Sequence, residues 1–215
     1  DNYTPAYDSQ EEIYYDLFNE LKEAGEMIVS GNINNDIVYD GDMEKWQKFA
    51  NTVRMLMALR LSEVDPEKGS TEFNEAVNDG VFESNNDNLI YRHLADADNQ
   101  NYWFGQVVNQ NREWWALSET LVEEMKPVYD PRLVVYGDPA RSSGEYLGLE
   151  FGKEEVTGTE TEEFSLLGSD IYAQDAPVYL VTYAQVLFAM AEGVERGWIT
   201  GNTEEYYNMA VEASI

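Results

Sequence analysis

Few residues in this chain have the means to do covalent chemistry. His93 is the only histidine, and cysteine is absent. A nucleophile–histidine–acid triad would have to use His93, and a thiolate nucleophile or thiolate metal site is impossible. Nothing around Tyr91-Arg92-His93-Leu94 reads as a site, so His93 is expected to be structural. The chain has no Gly-x-Ser-x-Gly elbow, no phosphate-cradling glycine loop and no His-Glu-x-x-His helix. Carboxylates abound, with 42 Asp and Glu against 13 Lys and Arg. Among so many, some pair always falls at glycosidase separation, so such a pair carries no information. Asp36, Asp40 and Asp42, or Asp96 and Asp98, could offer oxygens to calcium, but neither run completes a calcium-loop pattern. No catalytic residue and no metal site are expected, and calcium is the one cofactor with candidate ligands.

A different chemistry is better supplied. Residues 96–112 read DADNQNYWFGQVVNQNR, an amide-rich stretch with Tyr102-Trp103-Phe104 at its centre. Aromatic faces stack on sugar rings while amides and carboxylates hydrogen-bond the hydroxyls. Loops that carry aromatics are often binding elements. The candidate ligand-binding residues are Asn101, Tyr102, Trp103, Gln106 and Trp114. The competing reading is that these aromatics fold back onto helices as packing.

The elements that must hold this stretch are mostly helical. Ser9-Gln10-Glu11-Glu12 is a capping box, and Ile13, Leu17, Leu21, Ala24 and Ile28 follow at helical spacing up to Ser30-Gly31. Ile37-Val38-Tyr39 is expected to be extended. Asp42 caps a second long helix with an apolar stripe of Trp46, Phe49, Ala50, Val53, Leu56, Met57 and Leu61, ending before Pro66. A shorter helix is expected over 70–79, capped by Ser70 or Thr71 and stopped by Gly80, and Leu89-Ile90-Tyr91 is expected to be extended. Ser118 caps another helix that Pro127 closes. Residues 137–176 are Gly-, Ser-, Thr- and Glu-rich without a sustained period, an uncommonly long irregular stretch. Pro177–Ile215 reads as a helix pair. Tyr183, Val186, Leu187, Met190, Ala191 and Val194 share one face, Gly197 sits at a left-handed helix end, and Thr203 caps the second helix.

The fold class is therefore mainly α, with tetratricopeptide-like helix pairs and a long irregular loop excursion. Segments 1–62 and 177–215 form the helical scaffold, and 63–176 the short helices and excursion. The net charge of −29 repels phosphate backbones and anionic headgroups, so nucleic acid is not an expected partner. No apolar run approaches the roughly 18 residues of a membrane span. The chain starts at Asp1 and stops inside a helical pattern, which is read as a portion of a longer protein. Asn2-Tyr3-Thr4 matches a glycosylation acceptor, a motif short enough to occur by chance.

Three motifs carry a family resemblance. The first is Gly41-Asp42 followed by Lys45-Trp46, Lys48-Phe49-Ala50-Asn51 and Arg54 to Ser62. The second is Asp130-Pro131-Arg132. The third is Thr182-Tyr183-Ala184-Gln185 to Glu192, then Arg196-Gly197-Trp198, Tyr206-Tyr207 and Glu212-Ala213-Ser214. Together they resemble the SusD/RagB family of outer-membrane nutrient-binding lipoproteins of Bacteroidetes. Two departures are Gln185, where the family commonly has Glu, and Gly193, where it often has Ala. The resemblance implies that 1–215 is part of one larger SusD-like domain, anchored at the outer membrane by a lipid outside this sequence. It implies a non-catalytic component that binds an oligosaccharide or other nutrient and delivers it to a TonB-dependent, SusC-like transporter. A helical protein-interaction scaffold and a carbohydrate-active enzyme are the alternatives. Within this resemblance Trp46, Arg60, Arg132 and Glu192 are expected to serve packing and buried pairing.

Overall fold

Ser9 starts the first helix as the capping box requires. Its hydroxyl accepts from Glu12 N at 3.2 Å, and its own N–H donates to the Glu12 carboxylate at 3.0 Å. This computed structural model describes residues 6–28, 33–152 and 161–215. The Asn2 acceptor motif and the expected helix end at Ser30-Gly31 lie outside them. The described chain is mainly helical, and it divides into two compact units. One comprises residues 1–90 and 179–214, and the other residues 91–178.

In the first unit, α1 (Gln10–Met27), α2 (Met43–Arg60) and α3 (Pro66–Asp79) pack in succession, and α2 also packs on α8 (Tyr183–Glu195), which pairs with α9 (Thr203–Ala213). Sequential helices packed on their neighbours are the arrangement expected of tetratricopeptide-like pairs. The core gathers Phe18, Met55, Ala58, Phe73, Phe82 and Val186. Because α3 belongs here, the helical scaffold continues past residue 62.

Several local expectations are corrected. On α1 the buried residue is Phe18, while Ile13 and Leu17 are 46% and 39% exposed. On α2 the most buried positions include Thr52, Arg54 and Met55, outside the expected stripe. A stripe presumes one covered side, whereas α2 has α1, α3 and α8 around it. Residues 37–39 form a turn rather than an extended segment. Asp36 causes it, since its carboxylate accepts from the N–H groups of Val38, Tyr39 and Gly41 and from Trp46 Nε1 at 2.7 Å. α3 starts at Pro66 rather than near residue 70, because Asp65 caps Lys68 N at 3.1 Å and proline suits a first helical position. The cap of α9 is Asn202, which accepts from Glu204 N and Glu205 N, and Thr203 is the first helical residue. The 177–215 helix pair is preceded by a strand, and its first helix begins only at Tyr183.

That helix also explains one departure from the family pattern. Thr182 accepts from Gln185 N, and Gln185 Oε1 accepts from Thr182 N at 2.9 Å. A capping box needs an acceptor at this position, and Gln supplies it as well as Glu.

Buried charge in this unit centres on Arg54 and Glu72, 2% and 1% exposed. Arg54 donates to Asp79 at 2.7 Å and to Asn51 at 3.1 Å. Glu72 accepts from Lys22 and Lys68, each at 2.8 Å. Arg60 and Glu192, expected to be buried pairs, are exposed. Glu192 accepts from Arg196 one turn away, a surface pair.

The chain leaves this unit through β1 (Leu89–Tyr91) and returns through β2 (Val178–Val181), and the two strands are hydrogen-bonded to each other. The second unit holds α4 (Tyr102–Phe104), α5 (Glu119–Met125), α6 (Leu133–Tyr136) and α7 (Ser169–Tyr172). Its core is Leu117, Val122, Met125 and Leu133. Isolated bridges join Ala116 to Leu166, Ser118 to Leu149 and Gly137 to Leu167. The irregular stretch is thus stitched to its own unit by short backbone pairings. Gly168 permits one close pass, since a Cβ there would lie 2.1 Å from Val135 O. Asp130 chelates Arg132 through Nε and Nη2, which holds the Asp130 carboxyl down to about 2.

Candidate ligand-binding site

Asn101 is where the aromatic stretch is pinned. Its Oδ1 accepts from Trp103 N at 2.7 Å, which caps α4, and its Nδ2 donates to Ala176 O at 3.0 Å. Its own N–H donates to Gln174 O at 2.8 Å. The side chain is 2% exposed. Both ends of this amide are committed to the backbone.

The stretch expected as a loop is a helical turn that widens. After Tyr102–Phe104 the backbone runs through a π turn over Gly105–Asn109, closed by Gln110 N donating to Gly105 O at 3.2 Å. Such widened turns occur often at functional sites, because the extra residue re-aims the side chains around it. Asn111 then reverses the chain in the left-handed region at φ 51°, which Asn tolerates better than most residues. Gln106, nearly buried, fixes the returning segment. Its backbone carbonyl accepts from Arg112 N at 3.1 Å, and its Oε1 accepts from Arg112 Nη1.

The outcome is a continuous row of rings. Tyr102 meets Trp103 at 5.3 Å between centroids, Trp103 meets Trp115 at 4.9 Å, and Trp115 meets Trp114 at 5.9 Å. The first two contacts are edge-on, the geometry that aromatic quadrupoles favour. Trp103 and Trp115 are half-buried and support the row. Tyr102 and Trp114 are 63% and 70% exposed at its two ends. The site therefore keeps large apolar faces in water while their neighbours hold them rigid.

Of the five candidate residues, Tyr102, Trp103 and Trp114 lie along the row. Asn101 and Gln106 lie beneath it as braces. Trp115 and Arg112 were not anticipated, although the Trp114-Trp115 doublet and an arginine two residues before it are visible in the sequence.

Beside the row is a cavity of about 110 Å³, lined by Trp115, Arg112, Val107, Phe164, Leu166 and Tyr172 among others. At its edge Arg141 donates to both oxygens of Glu113 at 2.7 Å, and Thr161 donates to the same carboxylate at 3.0 Å. The Arg141 hydrogen bonds hold the Glu113 carboxyl below its ordinary value. A carboxylate held low is a poor general acid. Residues from positions 107, 141, 164 and 172 meet only through the fold, so no local signal announced this cavity.

Calcium finds little support in the aspartates proposed for it. Asp36 is committed to its turn, Asp42 to capping α2, and Asp96 to the N–H groups of Asp98 and Asn99. Among the described residues no group of three or more His, Cys, Asp or Glu could hold a metal ion. Among them, too, no helix is long and apolar enough to cross a membrane.

Residues 1–215 match the family model SusD-like, described as starch-binding associating with outer membrane. Solved structures are similar along nearly the whole chain. One is a chitin-binding protein at 29% identity and TM-score 0.84, covering 98% of this chain and 49% of its own. Another is a SusD homolog from Bacteroides fragilis at 27% identity and TM-score 0.84, covering 99% and 50%. A third is a chitin-binding SusD homolog from Flavobacterium johnsoniae at 30% identity and TM-score 0.83, covering 99% and 45%. The chain spans about half the length of these structures. No curated protein matches it.

Proposed function

This chain belongs to the SusD-like family, and from that membership we propose that it forms part of a non-catalytic glycan-binding protein of an outer-membrane uptake system. The observation that carries this reading is the braced row Tyr102–Trp103–Trp115–Trp114, with both ends open to solvent. A ring held rigid before binding loses little entropy when a sugar stacks on it, so its exposed area is converted efficiently into affinity. The ligands named for two of the similar structures are chitin, and the family description names starch. An oligosaccharide is thus the ligand class. The whole protein would be a lipoprotein at the outer membrane and would hand its ligand to a TonB-dependent, SusC-like transporter.

Among the described residues the site holds no arrangement that favours an enzyme. Glu113, which precedes Trp114 in the chain, is neutralised by Arg141 and engaged by Thr161. The test is isothermal titration of oligosaccharides against the chain and against Trp114→Ala, with reducing-end release monitored in parallel. Binding that weakens with Trp114→Ala, without new reducing ends, supports the reading. Turnover, or binding indifferent to the substitution, refutes it.

A further inference from the structure

Arg60 is the last residue of α2 and is exposed, and among the described residues it makes no hydrogen bond and no ion pair. In a chain with 42 Asp and Glu against 13 Lys and Arg, an arginine left without a carboxylate is an exception. The carboxylates that share its surroundings are engaged elsewhere or stand apart. Glu192 accepts from Arg196 at 2.8 Å, Asp65 accepts from Tyr15 and caps Lys68 N, and Glu11 forms no ion pair with Arg60.

Two grooves of the helical unit meet at Arg60. One lies between α2 and α8, with Leu56, Leu59 and Phe188 in its lining. The other lies between the start of α1 and the end of α2, with Tyr14, Leu61 and Val64 in its lining. Part of this apolar surface is open to water, since Phe188 is 39% and Val64 77% exposed. Beyond Phe188 it continues onto α9, where Tyr207 meets the Phe188 ring edge-on at 5.6 Å and is itself 54% exposed.

In a protein of stacked helix pairs, each pair covers only its neighbours, and an outermost face that stays in water must be polar. A contiguous apolar face is instead a surface made to be covered. A groove between two helices admits a third helix, whose anchors at i, i+3 or i+4 and i+7 fill it. Covering Arg60 with apolar groups alone would strand a buried charge, so the covering element must bring a carboxylate to it.

Length says where that element comes from. The similar structures superpose on nearly all of this chain and are about twice as long, so each carries about as much chain again. We infer that a helix from a part of the same polypeptide outside these 215 residues seats in the two grooves, with its apolar stripe on Leu56, Phe188 and Val64 and a carboxylate on Arg60. This rests on the reading of the chain as part of a longer protein and is independent of the ligand. It assigns this face of the helical unit to assembly, apart from the aromatic row.

The test uses the whole protein with the photo-crosslinking residue p-benzoylphenylalanine in place of Phe188 or, in a second preparation, of Val64. After irradiation, mass spectrometry should find both positions joined to a peptide outside residues 1–215, in adducts of monomer mass. Arg60→Glu puts like charges together and should lower that yield at least about threefold, whereas Arg60→Lys keeps most of it. Adducts of twice the monomer mass would assign the face to a second copy and overturn the inference. So would crosslinks confined to residues 1–215, no crosslink at either position, or a yield indifferent to Arg60→Glu. Oligosaccharide titration of the same protein and of its Trp114→Ala variant decides the ligand reading separately, because Phe188, Val64 and Arg60 lie outside the aromatic row.

Discussion

The guanidinium carbon of Arg112 lies 4.6 Å from the ring centroid of Trp114. One face of this indole is thus covered by a cation that the nearly buried Gln106 holds in place. Since Trp114 remains 70% exposed, the uncovered face is the one offered to a ligand. Trp114→Ala is expected to weaken oligosaccharide binding by about 1–3 kcal/mol, by analogy with the stacking of a nucleobase on an aromatic ring. Its melting temperature should stay close to that of the unaltered chain, because so exposed a ring contributes little to packing. Calorimetric titration and thermal unfolding together check this.

Asn101 gives the opposite expectation. Its amide is buried and spans the cap of α4 and the carbonyl of Ala176. Asn101→Ala strands a buried acceptor and removes a cap, so stability should fall by about 1–3 kcal/mol. Glycan affinity should fall as a consequence of the displaced row. A variant with weakened binding but an unchanged urea midpoint would instead place Asn101 at the ligand.

Glu72 is the keystone of the buried charge in the helical unit. Burial alone would raise its carboxyl pKa, but hydrogen bonds from Lys22 and Lys68 more than offset that and hold it below its ordinary value. Glu72→Ala leaves Arg54 buried beside two lysines without the carboxylate, a loss expected to cost about 3–5 kcal/mol. The sign of the pH effect follows from the lowered value. The stabilisation is present above the unfolded pKa of about 4.3 and is lost as pH falls through the folded one. Urea unfolding at pH 6, 4 and 3 should show that decline in the chain, and a flatter profile in Glu72→Gln.

Two helical glycines should respond oppositely to alanine. At Gly25 an added Cβ meets nothing within 4 Å, so Gly25→Ala should stabilise α1 by up to about 1 kcal/mol through helix propensity. At Gly193 the Cβ would lie 2.8 Å from two ring carbons of Phe73, which is fully buried. Overpacking of about 1–3 kcal/mol there outweighs the propensity gain, and Gly193→Ala should lower the melting temperature. The departure from alanine at this position is thus matched to the Phe73 ring that packs on it.

Helix starts were the most legible part of the chain, because a cap is a local event. Ser9, Asp42 and Ser118 each accept from a first-turn N–H as their sequence context indicates, whereas Asp65, Thr182 and Asn202 cap their helices without having been legible as caps. Gly197, too, adopts the left-handed conformation read for it, at φ 71°. What could not be read was which side of a helix is covered. Arg54 looks like a surface arginine in sequence and is almost fully enclosed, because α2 has neighbours on several sides. The aromatic row was half legible. Tyr102, Trp103 and Trp114 advertise themselves by type, while the braces, the turn at Asn111 and the cavity behind Trp115 arise from residues up to 75 positions apart, as from Asn101 to Ala176.

The pairing of β1 with β2 has a consequence for how such proteins diversify. The 88-residue excursion between Tyr91 and Val178 begins and ends on two hydrogen-bonded strands, so its two ends are tied together whatever lies between them. For a segment closed in this way, doubling the length adds only about 0.6 kcal/mol of closure entropy. The helices can therefore stay as they are while the excursion is lengthened, shortened or exchanged. Ligand preference becomes a replaceable cartridge, and the motifs that identify the family on α2 and α8 need not change with the sugar.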